Sequence, residues 1–576
     1  MTAFIEMEEP SIDGYEERIF PMYRLTAETR DRIANNDPNI SGLIIDVPTN
    51  IDPTWAQDTG AIIMHNTQLR KLEFFIDRAH RTGISGLLPC FCLLIHNRSI
   101  EHLCLAGRFD HSRLDVFKVL APFFENNNRI LRIIEKMGST LMHTRIRSLI
   151  SKVIGRNNSF QRINLMGNGI GDEPMRDILK ALNRNRGLHN LLDLQLGNNL
   201  MGDESFKALG NLMRNQACNI RKLGLNCTHF GIAGIEILAC ALVHNNTIKH
   251  LIMSCSESTD PIQFWCTLSN YLSNDACSLE ILDIGENEID DEGAIDLGYA
   301  FVVNKSLKRL IFDTADLTPI GWRACSKLLK SPSSNLLDLD IRFSDMDDED
   351  AFAIATALVD NQSLEVLNME ACSSITGTGW LACFQVLLDS PTKFSLKRLH
   401  LGHNFICIAG ALILVDLIAT NMSQLEILDV ENIDLVAYEL IEFHDALINV
   451  ICDTSNVDSI HSSNHSLRCL VDVDPPLELH NLLTLNKNEN KARVSRQKIL
   501  LHSFTDEVSV GRFFGNLTLQ VLPEAIAWIG SDRSGFSTMN SLLRSIPCIC
   551  TNETKADVRD SRALSGRPRK LRKVDE

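Results

Sequence analysis

The residue patterns that would support catalysis are absent from this sequence. No G-x-x-x-x-G-K-[ST] phosphate-binding loop, no G-x-S-x-G nucleophile motif and no H-E-x-x-H zinc motif occurs. The stretch Gly167–Gly171 would follow a strand and precede a helix, as a dinucleotide-binding loop does, but it lacks the G-x-G-x-x-G spacing. We therefore predict a non-enzymatic protein with no catalytic residues, no cofactor and no small-molecule substrate.

Cysteine, histidine and acidic residues do not form a recognisable metal motif either. The pairs Cys90–Cys92 and Cys548–Cys550 have no second pair of ligands at zinc spacing. Two histidines, His461 and His465, have no companion cysteine pair. Paired acids such as Asp290–Asp291 are expected in the first turn of a helix, where carboxylates interact favourably with the helix dipole. We predict no metal site.

The composition indicates a globular protein with a negative net charge. The chain has 576 residues, 44% of them hydrophobic, and 56 Lys and Arg against 73 Asp and Glu give a formal net charge of −17. This charge disfavours a main surface that binds nucleic acid or anionic lipid. The 17 cysteines lack framework spacing, the N-terminus lacks a signal-peptide pattern, and no apolar stretch reaches the ~20 residues of a bilayer span. We predict no membrane contact and a reducing, cytoplasmic location, with the nucleus as the alternative.

The C-terminal residues differ from the rest in charge. Residues 559–576 carry seven basic and three acidic side chains, a net charge of +4. The run SGRPRKLRK is typical of a nuclear-import signal or a nucleic-acid contact, and a plain disordered terminus has the same composition. All three interpretations stay open, and only this tail gives nucleic acid a place among the partners.

Most of the chain is an internal repeat. Apolar residues at positions 1, 4 and 6, followed by a turn and a helix-like stretch, recur every 28 to 32 residues. Ten units begin at Phe160, Leu191, Ile220, Ile248, Leu279, Leu307, Leu336, Leu364, Leu396 and Leu425. The same period extended backwards predicts units at Ile40, Leu69, Ile100 and Ile130. The unit at Ile130 puts Glu135 at an inward position, which favours a distorted repeat or a plain helix there.

Each unit is expected to contain one strand and one helix. The alternation in Leu282–Ile284 is typical of a short strand with one buried face, and Met175, Ile178 and Leu182 recur at helical spacing. One such unit cannot bury its own apolar faces, so neighbouring units must stack. Because strands stack ~4.8 Å apart and helices ~10 Å apart, we expect a horseshoe with parallel strands on the concave face and helices on the convex face.

These residues resemble a known family, the leucine-rich repeat proteins. The pattern L-x-x-L-x-L-x-x-N is met from Leu191 and from Leu396, and the helical period of ~29 residues is similar to the ribonuclease-inhibitor-like class. The resemblance covers residues 40–475 and implies an α/β solenoid. The family includes inhibitors, innate-immune receptor arms and activators of small GTPases, so it does not by itself identify a function.

The ninth position of the pattern is only partly kept. Asparagine stands there in four units, at Asn168, Asn199, Asn287 and Asn404. Other residues replace it in six units: Thr228, Ser256, Ala315, Ser344, Cys372 and Ile433. An interrupted row of asparagines predicts irregular turns within the same fold.

The chain divides into four segments on these patterns. Residues 1–39 are expected to be an N-terminal extension and cap, and residues 40–475 a solenoid of about 15 units with a protruding insert near 452–465. Residues 476–550 should form a helix-rich C-terminal cap, and 551–576 the basic disordered tail.

Several N-x-S/T triplets could be read as glycosylation sites. Those at Asn97, Asn245, Asn304, Asn361 and Asn464 fall at the same point of the repeat, just before a strand. We interpret them as turn residues.

The strand positions that point away from the core carry the remaining functional signal. From Leu279 to Leu425, positions 3, 5 and 7 hold seven acids: Asp283, Asp313, Asp338, Asp340, Glu370, Asp429 and Glu431. Three bases accompany them: Arg309, Arg342 and Arg398. In earlier units the same positions are balanced or slightly basic: Asp46, Glu73 and Asp193 against Lys71, Arg132, Arg162 and Lys222. These acids either receive a partner with a basic surface or serve only solubility.

The favoured function is that of an intracellular interaction scaffold that binds another protein on the concave face. A regulator of a small GTPase is the alternative, because one branch of the resembling family has that role. That branch typically ends in an acidic tail, whereas this tail is basic.

Overall fold

A computed structural model describes residues 22–47, 51–76, 84–107, 113–126, 130–135, 144–255, 257–258, 261–314, 317, 319–330, 334–391, 393–472 and 475–503. The chain forms two compact units, Met1–Asp345 and Met346–Glu576, and each is described by itself. The basic tail and the second half of the expected C-terminal cap lie outside the described residues.

The first unit alternates strands and helices. Its strands are β1 (Met22–Arg24), β2 (Gly42–Asp46), β3 (Lys71–Ile76), β4 (His102–Gly107), β5 (Ile130–Glu135), β6 (Arg162–Asn164), β7 (Asp193–Gln195), β8 (Lys222–Gly224), β9 (His229–Phe230), β10 (His250–Ile252), β11 (Glu257–Ser258), β12 (Ile281–Asp283), β13 (Arg309–Ile311) and β14 (Asp338–Asp340). Its helices are α1 (Ala27–Ala34), α2 (Pro53–His65), α3 (Leu88–Leu94), α4 (Arg113–Asn126), α5 (Thr144–Arg156), α6 (Asp172–Asn183), α7 (Asp203–Met213), α8 (Ile232–Val243), α9 (Pro261–Leu272), α10 (Asp291–Val303) and α11 (Pro319–Lys330).

The second unit continues the alternation. Its strands are β15 (Val366–Asn368), β16 (Arg398–His400), β17 (Ile427–Asp429) and β18 (Cys469–Val471). Its helices are α12 (Asp348–Val359), α13 (Gly377–Leu388), α14 (Ile408–Ala419), α15 (Ala437–Ile451), α16 (Val457–Ser462), α17 (Leu477–Asn486) and α18 (Lys491–Ser503). None of the described helices is long and apolar enough to span a bilayer.

The strands of each unit pair in parallel, in the order of the chain. In the first unit β1–β8, β10 and β12–β14 form one sheet, and β9 and β11 form a small separate pair. In the second unit β15 to β18 form a sheet in the same way. Positions 1, 4 and 6 are buried, as Leu279, Leu282 and Ile284 illustrate. The predicted α/β repeat fold with a parallel sheet is confirmed.

The unit predicted to begin at Ile130 is a strand, and its register differs from the prediction by two residues. Ile130 pairs with His102 on one side and with Arg162 on the other, both of which stand at position 3. Ile130 therefore stands at position 3 of its repeat, and Leu131 and Ile133 stand at positions 4 and 6. The expectation of a plain helix at Ile130 was wrong.

Two segments outside the predicted repeats also carry regular structure. Strand β1 pairs with β2 through Met22 and Gly42, within the stretch expected to be an extension and cap. The insert near 452–465 does not protrude as a loop, because it contains helix α16. Ile460 on that helix is fully buried, and His461 contacts Ser495 of α18.

The turn after each strand has the same backbone conformation in ten successive units. The residue at position 8 has a φ between 51° and 58° in nine of them, among them Asn198, Cys227, Thr314 and Phe343. In the unit from Phe160 the residue is Gly167, with a φ of 73°. Units with and without the ninth-position asparagine are alike in this respect, so the prediction of irregular turns was wrong at this position.

A second row of asparagines closes the helix ends. Asn304 donates from Nδ2 to the carbonyl oxygen of Leu272 at 2.8 Å, and its Oδ1 accepts from the backbone N–H groups of Ser306 and Leu307 at 3.0 and 2.8 Å. We call such a side chain a rung. Rungs that bond the preceding repeat include Asn66, Asn97, Asn157, Asn185, Asn245, Asn304 and Asn464.

The N-x-S/T asparagines belong to this row. Asn97, Asn245, Asn304, Asn361 and Asn464 are all buried, and each accepts backbone hydrogen bonds from the residues two and three places on. Their interpretation as turn residues agrees with this geometry, because a buried side chain with both ends bonded is not free to carry a glycan.

Candidate functional site

The acids predicted at positions 3, 5 and 7 lie on one face of their strands, which we call the strand face. In the parallel register Arg309 lies beside Asp338. Ile311 lies between Asp283 on one neighbouring strand and Asp340 on the other. In the first unit, Asp283, Asp313, Asp338 and Asp340 accompany Arg309 and Arg342. We name these six residues the acidic cluster.

Ion pairs within the acidic cluster cross from strand to strand. Arg309 Nε lies 3.2 Å from Asp338 Oδ2. Arg342 Nε lies 3.7 Å from Asp313 Oδ2 and 3.6 Å from Asp340 Oδ1, so one guanidinium serves two carboxylates. Two arginines thus face four acids, and the cluster keeps an excess of negative charge when all four are ionised.

Asp283 is the carboxylate of the cluster without an ion pair among the described residues. One of its oxygens accepts a hydrogen bond from the Gly285 N–H at 3.3 Å. Burial, followed by the negative charges of Asp313 and Asp340, raises the pKa of Asp283 from 3.8 to about 6. Burial and nearby charge also raise the pKa of Asp313 and that of Asp340. The cluster therefore holds an ionised carboxylate at neutral pH at a cost in free energy.

The alternation of the strand predicted that the Asp340 side chain points into solvent, but the structure buries it. It is 2% exposed and lies under Arg342. Charge reversal at this residue would disturb the fold, because a lysine there would bury a second cation beside Arg342.

Small residues at position 7 let the acids lie flat on the sheet. A Cβ at Gly285 would collide with the Asp313 side chain, and one at Gly402 would come within 3.0 Å of Asp429 Oδ1. The sequence signal for this arrangement is a glycine at position 7 of one repeat with an acid on the strand of the next repeat. The periodicity of the apolar residues alone does not reveal this signal.

The second unit carries the other predicted acids in a different setting. His400 Nδ1 lies 3.3 Å from Asp429 Oδ2, and both side chains are 15% exposed. Glu370 and Glu431 each donate the backbone N–H to a position-5 side chain, Asn368 and Asp429 respectively. Arg398 stands at position 3 of β16 and is exposed. The structure thus groups four of the seven predicted acids in the first unit and three in the second.

The positions predicted to be balanced are paired with one another. Arg162 Nε lies 2.6 Å from Asp193 Oδ2 on the neighbouring strand, and Lys71 Nζ lies 3.2 Å from Glu73 Oε1. Arg24 in β1 lies 3.5 Å from Asp46 in β2. Acids and bases on these earlier strands thus form ion pairs with each other.

Metal chemistry finds no support in the described residues. They contain no group of three or more His, Cys, Asp or Glu side chains placed to hold a metal ion. The carboxylates of the acidic cluster instead form ion pairs with its two arginines.

Comparison with known proteins identifies the repeat. The family described as "Leucine Rich repeat" matches residues 156–176, 275–298 and 333–355. Human NACHT, LRR and PYD domains-containing protein 14 is 21% identical over 353 residues, which cover 60% of this chain and 31% of that protein. Protein CARMIL from Dictyostelium discoideum is 27% identical over 205 residues, covering 30% of this chain and 19% of its own length. The chain spans less than a third of the length of these relatives.

Solved structures give weaker likenesses. A chain in the crystal structure of the yeast Rad7 and Elc1 complex is 14% identical, covers 71% of this chain and 83% of its own length, and has a TM-score of 0.39. A chain in the TLR13–ssRNA13 complex is also 14% identical, covers 68% of this chain and 50% of its own, and has a TM-score of 0.36.

The family match coincides with the structural repeat. Each matched segment holds a buried strand residue at position 4, namely Ile163, Leu282 or Leu339, followed by a turn with a positive φ and the start of a helix. Stacked repeats of this kind present extended surfaces that bind other proteins. The repeats of this chain are leucine-rich repeats.

Proposed function

We propose that this protein binds another protein through its strand face and that the acidic cluster receives an arginine- or lysine-rich segment of that partner. The observation that carries the proposal is Asp283, a half-buried carboxylate that forms no ion pair with the described residues and has a pKa raised to about 6. A group held charged against its environment costs stability, and such groups concentrate at functional sites.

A guest cation would complete the charge balance of the cluster. Arg309 and Arg342 each pair with neighbouring acids, so the unpaired position is the one beside Asp283. A guanidinium or ammonium group placed there would relieve the repulsion that Asp313 and Asp340 exert on Asp283. Relief of that repulsion contributes to binding in proportion to the fall in the Asp283 pKa.

Long-range attraction adds to the rate of association. The screening length is ~8 Å at physiological ionic strength, so a basic segment is attracted before contact and the effect weakens as salt rises. Binding should also weaken as the pH falls through about 6, because Asp283 then takes up a proton and loses its charge.

A fluorescently labelled arginine-rich peptide tests the proposal by fluorescence anisotropy. The double variant Asp283→Asn, Asp313→Asn should bind the peptide about tenfold more weakly, roughly the 1.4 kcal/mol that the loss of one good charge contact represents. Neutralising variants are used because reversal at Asp340 would disturb the fold.

Glu236→Gln is the matched control. Glu236 lies on helix α8, is exposed, and is far in sequence from the cluster. Its loss should leave peptide affinity unchanged. Equal affinities of the wild type, the double variant and the control, with the same salt dependence, would show that the strand-face charge does not select the partner.

The GTPase-regulator alternative gains no specific support from the described residues. The basic tail that counts against it, residues 551–576, lies outside them.

A further inference from the structure

We infer that Cys227 and Cys255 form an oxidisable dithiol that can close into a disulfide between two neighbouring repeats. Both cysteines occupy position 8, the turn position with a positive φ, and their φ angles are equal at 51°. Both are free in the reduced chain, Cys255 being exposed and Cys227 partly exposed. This site is independent of the acidic cluster and of the function proposed for it.

Strand pairs that precede and follow Cys227 and Cys255 place these two residues side by side. Before them, Lys222 pairs with His250 and Gly224 with Ile252, an offset of 28 residues. After them, His229 pairs with Glu257 and Phe230 with Ser258, again an offset of 28. Cys227 and Cys255 differ by the same 28 residues, so they face each other between two paired segments.

The turn itself shows the same pairing. The Cys227 N–H donates to the carbonyl oxygen of Ser254 at 2.8 Å, which is the hydrogen bond that parallel neighbours make. Parallel neighbours stand about 4.8 Å apart, and the Cα separation of a disulfide is usually ~4.4–6.8 Å. The backbone spacing of the two residues is therefore compatible with an S–S bond.

The two thiols are close enough to affect each other's ionisation. Burial, followed by the neighbouring Cys255 and the negative charge of Glu286, raises the pKa of Cys227 to about 11. Cys227 is therefore the poorer nucleophile at neutral pH. The exposed Cys255 is the sulfur that meets an oxidant first, and Cys227 is the sulfur that resolves the product.

Hydrogen peroxide serves as the oxidant in a balanced two-step reaction. The Cys255 thiolate attacks one peroxide oxygen, the O–O bond breaks, and a sulfenic acid and one water result after proton transfer. The Cys227 sulfur then attacks the sulfenic sulfur, the S–S bond forms, and a second water leaves. Two thiol hydrogens and two electrons pass from the cysteines to one peroxide molecule.

The test treats the full chain with a small excess of hydrogen peroxide, blocks remaining thiols with N-ethylmaleimide, and maps the peptides by mass spectrometry. We expect a peptide pair linked through Cys227 and Cys255, lighter by two hydrogens than the separate peptides and separated again by dithiothreitol. Cys240, exposed on α8, is the internal control and should carry maleimide.

Single variants make the assignment decisive. In Cys227→Ser the sulfenic acid on Cys255 should persist and react with dimedone, whereas in Cys255→Ser the thiol of Cys227 should remain available to maleimide. Circular dichroism checks that both variants are folded. A wild type in which Cys255 is oxidised to sulfinic acid while Cys227 carries maleimide would overturn the inference, as would a Cys255 bridge to another cysteine or to a second chain.

Discussion

The side-chain nitrogen of Lys498 donates a hydrogen bond to the carbonyl oxygen of Ile451 over 2.6 Å, and it also reaches the Asn464 carbonyl oxygen at 3.1 Å. In the first unit Asn97 makes two bonds of the same kind, to the helix-end carbonyl of Ile63 and to the carbonyl of Asn66. Lys498, fully buried on α18, thus takes the place of the next rung where the repeats of the second unit end.

Replacement of Lys498 should reveal this role through its pH dependence. Burial lowers the pKa of Lys498 from 10.5 to about 7. Because the unfolded chain keeps the proton between pH 7 and 10.5 and the native chain does not, this residue makes stability rise with pH in that window, by up to ~1.4 kcal/mol per pH unit. In Lys498→Met the free energy of unfolding should fall by ~1–3 kcal/mol at pH 9, and by less at pH 7.

Urea denaturation at the two pH values measures this difference. Lys487→Met, at an exposed residue just after α17, is the control and should shift stability by the same small amount at both. A Lys498→Met effect independent of pH would mean that the lysine does not titrate in this window.

Neutralising Asp283 should stabilise the protein at neutral pH. Its pKa is raised to about 6, above the unfolded value of 3.8, so the native chain binds more protons than the unfolded chain between these values. The destabilisation is fully present above pH 6 and is lost as the pH falls to about 4. Asp283→Asn should therefore raise the free energy of unfolding by roughly 1–3 kcal/mol at pH 7.5, and by little at pH 4.

The exposed Asp275 offers the comparison. Asp275→Asn should change stability by less than about 0.5 kcal/mol at either pH, as surface substitutions usually do. If Asp283→Asn lowered stability at pH 7.5, the charge on Asp283 would be structural and the argument for a guest cation would lose its basis.

Two substitutions in the triplet Asn304–Ser306 distinguish a structural role of the asparagine from a role of the triplet as a glycosylation signal. Asn304→Ala removes the donor to the Leu272 carbonyl and the acceptor of two backbone N–H groups, so the free energy of unfolding should fall by ~2–4 kcal/mol. Ser306→Ala destroys the same triplet but keeps the rung, and should cost less than about 1 kcal/mol. Thermal denaturation of both variants reads the difference, and equal costs would contradict the structural role.

Relief of the left-handed turn at Thr314 should stabilise the chain. Thr314 is exposed with a φ of 54°, a conformation that β-branched residues rarely adopt. Thr314→Gly should raise the free energy of unfolding by about 0.5–1 kcal/mol, and Thr314→Ile should not. Denaturant midpoints of the two variants check this, and a loss of stability in Thr314→Gly would show that the threonine side chain makes a contact that outweighs the strain.

The location of the protein can be tested on the basic tail. Changing Arg569, Lys570, Arg572 and Lys573 to alanine should move a fluorescent fusion from the nucleus toward the cytoplasm if residues 567–573 act as an import signal. An unchanged distribution would leave the tail without an import role.

The repeat could be predicted from the sequence because apolar residues at positions 1, 4 and 6 recur without interruption from Phe160 onward. The register at Ile130 could not, because a start at Ile130 and a start two residues earlier each place apolar residues at two of the three inward positions. The burial of Asp340 was also hidden, since alternation tells which face a residue lies on and not what covers it. Position 8 gave no signal because residues as different as Cys227 and Phe343 adopt the same turn.

The rungs of the first unit also limit how far apart in sequence its partners lie. Asn185 bonds a residue 28 positions earlier and Asn97 bonds one 34 positions earlier. Each bond can therefore form as soon as the next repeat has been synthesised. A large unit built this way has a low contact order, which favours rapid folding despite its length. A repeat can close its bonds while the chain beyond the next repeat is still being synthesised, so the ribosome can release this unit with its N-terminal repeats already assembled.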